Sequence, residues 1–172
     1  MKALTVHQPW ASLIVTGAKP YEFRSWRAPR SLIGQRIVIH AGAREVVRTE
    51  ACNIYHAIRA RHSDADMALA TAQTCLKARA ALPILRRAWM PYQDHLPIAA
   101  GIGTAILGEP RPAAEIAEEF GVPYVNDSDR KEHALFGWPM LEVEEWATPV
   151  PMRGAQGFWN WPTPAQLLGE AA

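Results

Sequence analysis

The sequence predicts an α+β domain built on a mostly antiparallel or barrel-like sheet, and three observations point there. Four or five short strand patterns lie scattered among helical ones, without the regular alternation that a parallel sheet requires. One of them, Ile98 to Gly108, is punctuated by Gly101 and Gly103, as where a small barrel bends or bulges. The chain of 172 residues is long enough for one domain, 1–172, with a sizeable core.

Each element has a local reason. Ala3-Leu4-Thr5-Val6 is apolar enough to be a central strand. Pro9 suits the first turn of the helix that follows, because the N–H it lacks has no intrahelical partner there. Trp10, Leu13 and Ile14 keep helical spacing, and Gly17 can close that helix in a left-handed conformation. Lys19 to Trp26 reads as a charged strand, and Arg27 to Gly34 as loop, with Pro29 and Gly34 as punctuation. Gln35 to Gly42 is the clearest strand; Ile37 and Ile39 face one way, Arg36, Val38 and His40 the other.

From Glu45 to about Arg61 the pattern is helical, with Val47, Ala51, Ile54, Tyr55 and Ile58 as its apolar stripe. Ser63 or Asp64 can cap a second helix to about Ala81, with Leu69, Ala72, Leu76 and Ala80 inward; Pro83 is expected to stop it. A short third helix is expected from Pro83 to Ala88. The block 45–90 therefore reads as a helical insertion between strands. After the glycine-punctuated strand, Ala113 to Phe120 reads as an acidic helix ended by Gly121. Asn126 to His133 is polar loop, Phe136 to Val143 a strand, and Gly157 to Trp161 the last strand.

Apolar content of 49% and charged content of 20% are ordinary for a globular protein. No apolar run approaches the roughly 20 residues that span a bilayer, and the first residues lack the apolar core of a signal peptide. Cys52 and Cys75 fall in helical patterns away from any metal-ligand spacing, which suits reduced thiols in a cytoplasmic protein. None of the histidines has ligand spacing, so no metal and no cofactor is expected. The net charge of +1 argues against nucleic-acid binding by bulk electrostatics. Its distribution is uneven: Lys19 to Arg48 is rich in arginine, and Glu109 to Glu145 is rich in acids. A positive patch on a near-neutral body suits a short anionic ligand; alternatively the two regions face each other or solvate their own surfaces.

The most unusual stretch is Lys19-Pro20-Tyr21-Glu22-Phe23-Arg24-Ser25-Trp26. In a regular strand Glu22, Arg24 and Trp26 share a face. Buried singly, such charges cost several kcal/mol, so they either pair or border a wet cleft. Arg24 can fork onto a phosphate or base edge, or lock Glu22 in place. Trp10 and Trp26 either pack in the core or stack a base, worth about 1–3 kcal/mol. A buried Lys19 next to Arg24 would have a depressed pKa and suit a base or nucleophile, and Glu22 could hold a water or move a proton. His7 and His40 follow adjacent strand patterns, so they either flank a cleft floor as acid and base or are neutral rings satisfied by backbone.

Several of these stretches together resemble the activating signal cointegrator homology (ASCH) domain family. They are Gln8-Pro9-Trp10-Ala11, Gly17-Ala18-Lys19, the Glu22, Arg24, Ser25 and Trp26 set, and Ile37 to Ala41. The strand from Ala100 to Leu107, Phe136-Gly137-Trp138 and Gly154 to Trp159 fit as well. The helical block from about Glu45 to Met90 is longer than that resemblance leads one to expect. The resemblance implies a small PUA-like β-barrel with flanking helices and a cleft beside the first helix. It also implies binding of RNA or another single-stranded nucleic acid, or of a modified nucleoside. Ribonuclease activity and hydrolysis of N4-acetylcytidine are activities ascribed to the family. Its amidohydrolase members combine lysine, threonine and glutamate; the lysine corresponds to Lys19, whereas the threonine position is Glu22 here. With no hydroxyl at that position, only a water-mediated hydrolysis remains open.

Lys19 and Glu22 are accordingly the expected catalytic residues. Gln8, Trp10, Lys19, Arg24, Trp26, Arg27, His40 and Trp138 are the expected contacts to nucleic acid. A member of the family with neither activity, in which the charged stretch only stabilises the barrel, is the third alternative.

Overall fold

The computed structural model describes residues 1–61, 75–90, 95–122, 124 and 136–162. The expected helix positions Leu69 and Ala72, and the polar loop from Asn126 to His133, lie outside them. The strands are β1 (Lys2–Val6), β2 (Tyr21–Arg24), β3 (Arg36–Ala41), β4 (Ala100–Leu107), β5 (Arg111–Pro112), β6 (Phe136–Pro151) and β7 (Phe158–Asn160). The helices are α1 (Trp10–Val15), α2 (Arg48–Arg61), α3 (Ala78–Trp89) and α4 (Ala113–Glu119).

The strands form one mixed sheet in the order β2-β6-β4-β3-β1-β7, with β5 added on β6. Only β1 and β3 run parallel; every other pairing is antiparallel. The sheet curls into a half-barrel with helices at its flanks, the α+β architecture that the sequence predicts. Its register against β6 slips between Gly101 and Gly103 and again between Thr104 and Ile106, so the glycines of β4 do mark bulges.

Alternation sorts the side chains of β3. Ile37 and Ile39 join Leu4, Val6, Ile102, Leu107, Trp138 and Met140 inside the curl, where Ile14 and Val15 of α1 plug it. Val38 faces the other way, against Ala3 and Trp161. Each large apolar side chain so buried contributes about 1.5–3 kcal/mol. Helix α1 is short and depends on its ends. The backbone N–H of Ser12, in its first turn, donates to Gln8 Oε1 (3.1 Å), and Gly17 closes it at φ +72°. Both glycine and helix are as expected.

Three expectations need correction. Helix α3 runs straight through Pro83, with no break there. Ala81, Ile84, Leu85 and Ala88 form a buried stripe on both sides of the proline, packed with Ala51, Ile54 and Ile58 of α2 and Leu13 of α1. Pro83 itself lies on the exposed side of that helix. Burial of the stripe offsets the cost of about 3 kcal/mol that an interior proline carries. Strand β6 is twice the expected length, because its polar second half, from Glu144 to Pro151, is paired along β4 while its side chains stay largely exposed. Val47, expected in the stripe of α2, precedes that helix and is 40% exposed.

Candidate nucleic-acid interface

Strand β2 is short, and its pairing with β6 sets Glu22 opposite Trp138 and Arg24 opposite Phe136. Tyr21 and Phe23 take the opposite face and pack against Ile116 and Ala117 of α4. That leaves Glu22 and Arg24 together, as alternation predicts. Strand pairing stops at Arg24, so Trp26 lies beyond it and does not continue that row.

Three charged heads meet at this point. Glu22 Oε2 accepts from Lys19 Nζ at 2.7 Å, and Glu22 Oε1 accepts from Arg24 Nη2 at 3.0 Å. The Lys19 ammonium also donates to the carbonyl of Tyr21 and lies 5.4 Å from the centre of the Phe23 ring and 6.0 Å from that of Trp10. Burial holds Lys19 below the usual lysine range, against the pull of the Glu22 carboxylate, and Arg24 adds to the lowering. Burial alone would raise Glu22, but the charges of Lys19 and Arg24 outweigh it and hold its carboxyl below the usual range. One carboxylate is thus shared by two cations, and the cluster keeps a net positive charge. Arg24 Nε is buried and, among the described residues, has no hydrogen-bond partner.

Beside this cluster opens a cavity of about 790 Å³, within the span typical of small-molecule sites. Its lining comes from the end of β1 (Thr5, Val6), from His7 and Trp10, from Glu22 to Arg24, from His40, Gly42 and Ala43, from Ala99, and from the loop 152–157. Gly154 lets that loop close: a Cβ there would collide with His40 and with Thr5 Oγ1.

The expected residues are distributed as follows. Trp10, Glu22, Arg24 and His40 line the cavity. Lys19 does not; it is 3% exposed and stands behind Glu22. His40 is buried and held at both nitrogens, Nε2 donating to the Met152 carbonyl (2.9 Å) and Nδ1 facing Thr5 Oγ1 (3.3 Å). Thr5 Oγ1 in turn accepts from Trp159 Nε1 at 3.0 Å. His7 lines the same cavity and is exposed.

Two expected contacts are corrected. Trp138 is completely buried, stacked on Phe158 and donating from Nε1 to the carbonyl of Trp26, so it presents no face to a ligand. Gln8 is buried away from the cavity lining, and its amide nitrogen donates to Ser12 Oγ (2.9 Å) and the Pro97 carbonyl (2.7 Å). Both were attractive by residue type, and both have tertiary partners that residue type does not reveal. Trp26 stays 43% exposed, edge-on to Trp138, and Arg27 lies over the Phe136 ring; neither lines the cavity. Arg153 and Gln156 do line it; Gln156 falls in the Gly154 to Trp159 stretch but is not among the expected contacts, and Arg153, just before that stretch, carries no motif or periodicity.

Among the described residues, no helix is long and apolar enough to cross a membrane, and no three His, Cys, Asp or Glu side chains gather to hold a metal. Among the described residues, Cys52 and Cys75 form no disulfide.

No curated protein matches the chain. Two solved structures are similar to it, an ASCH protein from Zymomonas mobilis and a serine-to-alanine variant of an ASCH protein from that organism. The variant is 14% identical with a TM-score of 0.49, over 99% of this chain and 94% of its own. The other is also 14% identical with a TM-score of 0.49, over 98% of this chain and 93% of its own. The model of the ASCH domain matches residues 4–96, a segment that contains α1, β2 and β3 and so the whole charged cluster. The chain belongs to the ASCH domain family.

Proposed function

We propose that this ASCH protein binds RNA, and that the cavity beside β2 holds one nucleotide of a single strand. One observation carries the reading: the Arg24 guanidinium borders the cavity with 32% of its side chain exposed, and it is anchored on Glu22 through Nη2. A cation so placed is preset to fork onto a phosphate or a base edge. Arg153 adds positive charge across the opening, and Trp10 offers a ring face of the kind on which single-stranded bases stack. We read the whole chain as one such unit in a reducing cytoplasmic setting, with 45–90 inserted between β3 and β4.

The test is fluorescence anisotropy with a labelled hexauridylate. Arg24→Ala is expected to weaken binding on the order of tenfold or more, the effect of losing a charged hydrogen bond. Wild-type affinity in that variant would remove Arg24 from the interface. The same titration with the deoxy hexamer separates RNA from single-stranded DNA.

A second reading, hydrolysis of a modified cytidine, is favoured by the Glu22 carboxylate, which borders the cavity and is kept ionised by Lys19 and Arg24. Glu22 would take a proton from water as the oxygen adds to the acetyl carbonyl of N4-acetylcytidine. That proton would pass to the departing N4 amine, giving acetate and cytidine. Lys19 acts here through Glu22, as a positioning residue. Chromatography should then show cytidine formed by the wild type and not by Glu22→Gln; no turnover by the wild type ends this reading.

A further inference from the structure

A second hollow, of about 370 Å³, has walls from the helical block and from chain next in sequence to the walls of the first. It is lined by Glu45, Val46 and Arg48 ahead of and at the start of α2, by Arg87 and Ala88 of α3, and by His95, Leu96 and Ile98. The two hollows share two stretches of chain. Gly42 and Ala43 line the first and Glu45 and Val46 the second, while Ala99 lines the first and Ile98 the second. Two residues of chain span at most about 7 Å, and adjacent Cα atoms are about 3.8 Å apart. A stacked strand advances about 3.4 Å per nucleotide, so neighbouring wall residues of the two hollows lie within one or two nucleotide steps of each other.

The charges of the second hollow suit a phosphate. Two arginines, Arg48 and Arg87, line it with a single acid, Glu45, and with His95. Among the described residues, neither arginine has an ion pair or a side-chain hydrogen bond, so their charge is not already compensated. Arg44, exposed and carrying a like charge, lies on the stretch between the hollows. The helical block thus supplies cations where a strand would emerge from the first cavity.

We infer that the hollow between α2 and α3 is a second phosphate subsite, in which Arg48 and Arg87 bind the backbone of the RNA strand whose base occupies the cavity beside Arg24. This inference rests on the RNA-binding reading and narrows its ligand to a strand of at least two or three nucleotides, as opposed to a free nucleoside or mononucleotide.

The experiment compares hexauridylate and uridine monophosphate, the latter by competition, on the full chain, on Arg24→Ala and on the pair Arg48→Ala with Arg87→Ala. The paired variant is expected to bind hexauridylate about tenfold more weakly. Its plot of log affinity against log salt should flatten by roughly 1.4, for two contacts at about 0.7 each. Its competition by uridine monophosphate should match the wild type. Arg48→Lys with Arg87→Lys keeps the charge and should restore the salt slope, which a folding defect would not allow. If the alanine pair leaves both hexauridylate affinity and salt slope unchanged while Arg24→Ala weakens both ligands, the second subsite is wrong and the first reading survives. If Arg24→Ala changes neither ligand, both are wrong.

Discussion

Two ion clusters flank strand β2, one behind each of two successive residues. On the Glu22 side, Lys19 and Glu22 meet at 2.7 Å with their side chains 4% and 9% exposed. On the Tyr21 side, Arg111 and Glu119 also meet at 2.7 Å, but with 39% and 48% exposure. Arg111 Nη1 also donates to the Tyr21 hydroxyl at 2.9 Å. The pairs have the same length and opposite energetic weight. Solvation decides: water can replace either partner of the outer pair, whereas removing a partner of the inner one strands a charge in a low-dielectric site. The inner cluster also has two cations to one anion, so Glu22 is the member that both others depend on.

The largest effect should therefore come from Glu22→Gln, which leaves Lys19 and Arg24 facing each other without an anion. A loss of about 3–5 kcal/mol in urea denaturation is expected. A loss under about 1 kcal/mol would erase the contrast between the two sides of the strand. A smaller effect, and a sharper one, is its pH dependence. The Glu22 carboxyl sits below its ordinary value of 4.5 in the folded chain, so between the two values the unfolded chain binds more protons. Its contribution is complete above the ordinary value and disappears as pH falls through the folded one. The stability difference between wild type and Glu22→Gln should shrink in that acid window, and a difference that stays flat would mean that the carboxyl is not held down. The smallest effect is expected at Glu119→Gln: at most about 1 kcal/mol, vanishing in 1 M salt, where screening acts within about 3 Å.

The inner cluster was largely legible before any coordinates. Charges that alternate with Tyr21 and Phe23 have to share a face, and their cost of burial requires that they pair or meet water. The glycine stop at Gly17, the faces of β3 and the bulged β4 follow from equally local rules. What escaped is what depends on distant partners. Gln8 and Trp138 have the chemistry of ligand contacts, yet a helix N-terminus and a stacked Phe158 claim them. Arg153 and Gln156 belong to a loop whose residues, though partly within the Gly154 to Trp159 stretch, have no periodicity to say which of them face a cavity. Pro83 breaks an isolated helix but not one whose stripe is buried against α2. The second half of β6 looks like loop because Pro149 and Pro151 punctuate it, and only its pairing with β4 makes it a strand.

The closing of the sheet has a consequence for how ligand and chain stability are linked. The first cavity draws on residues near position 5, near 22, near 40, at 99 and near 155, and β7 reaches β1 by pairing Phe158 with Leu4. No contiguous fragment holds that assortment, so the cavity forms only after the chain has brought its most widely separated strands together, the slowest kind of contact to make. A ligand bound there alone would raise the free energy of complete unfolding by RT ln(1 + [L]/Kd). A ligand that filled this cavity would act as a clasp on the strands that wall it.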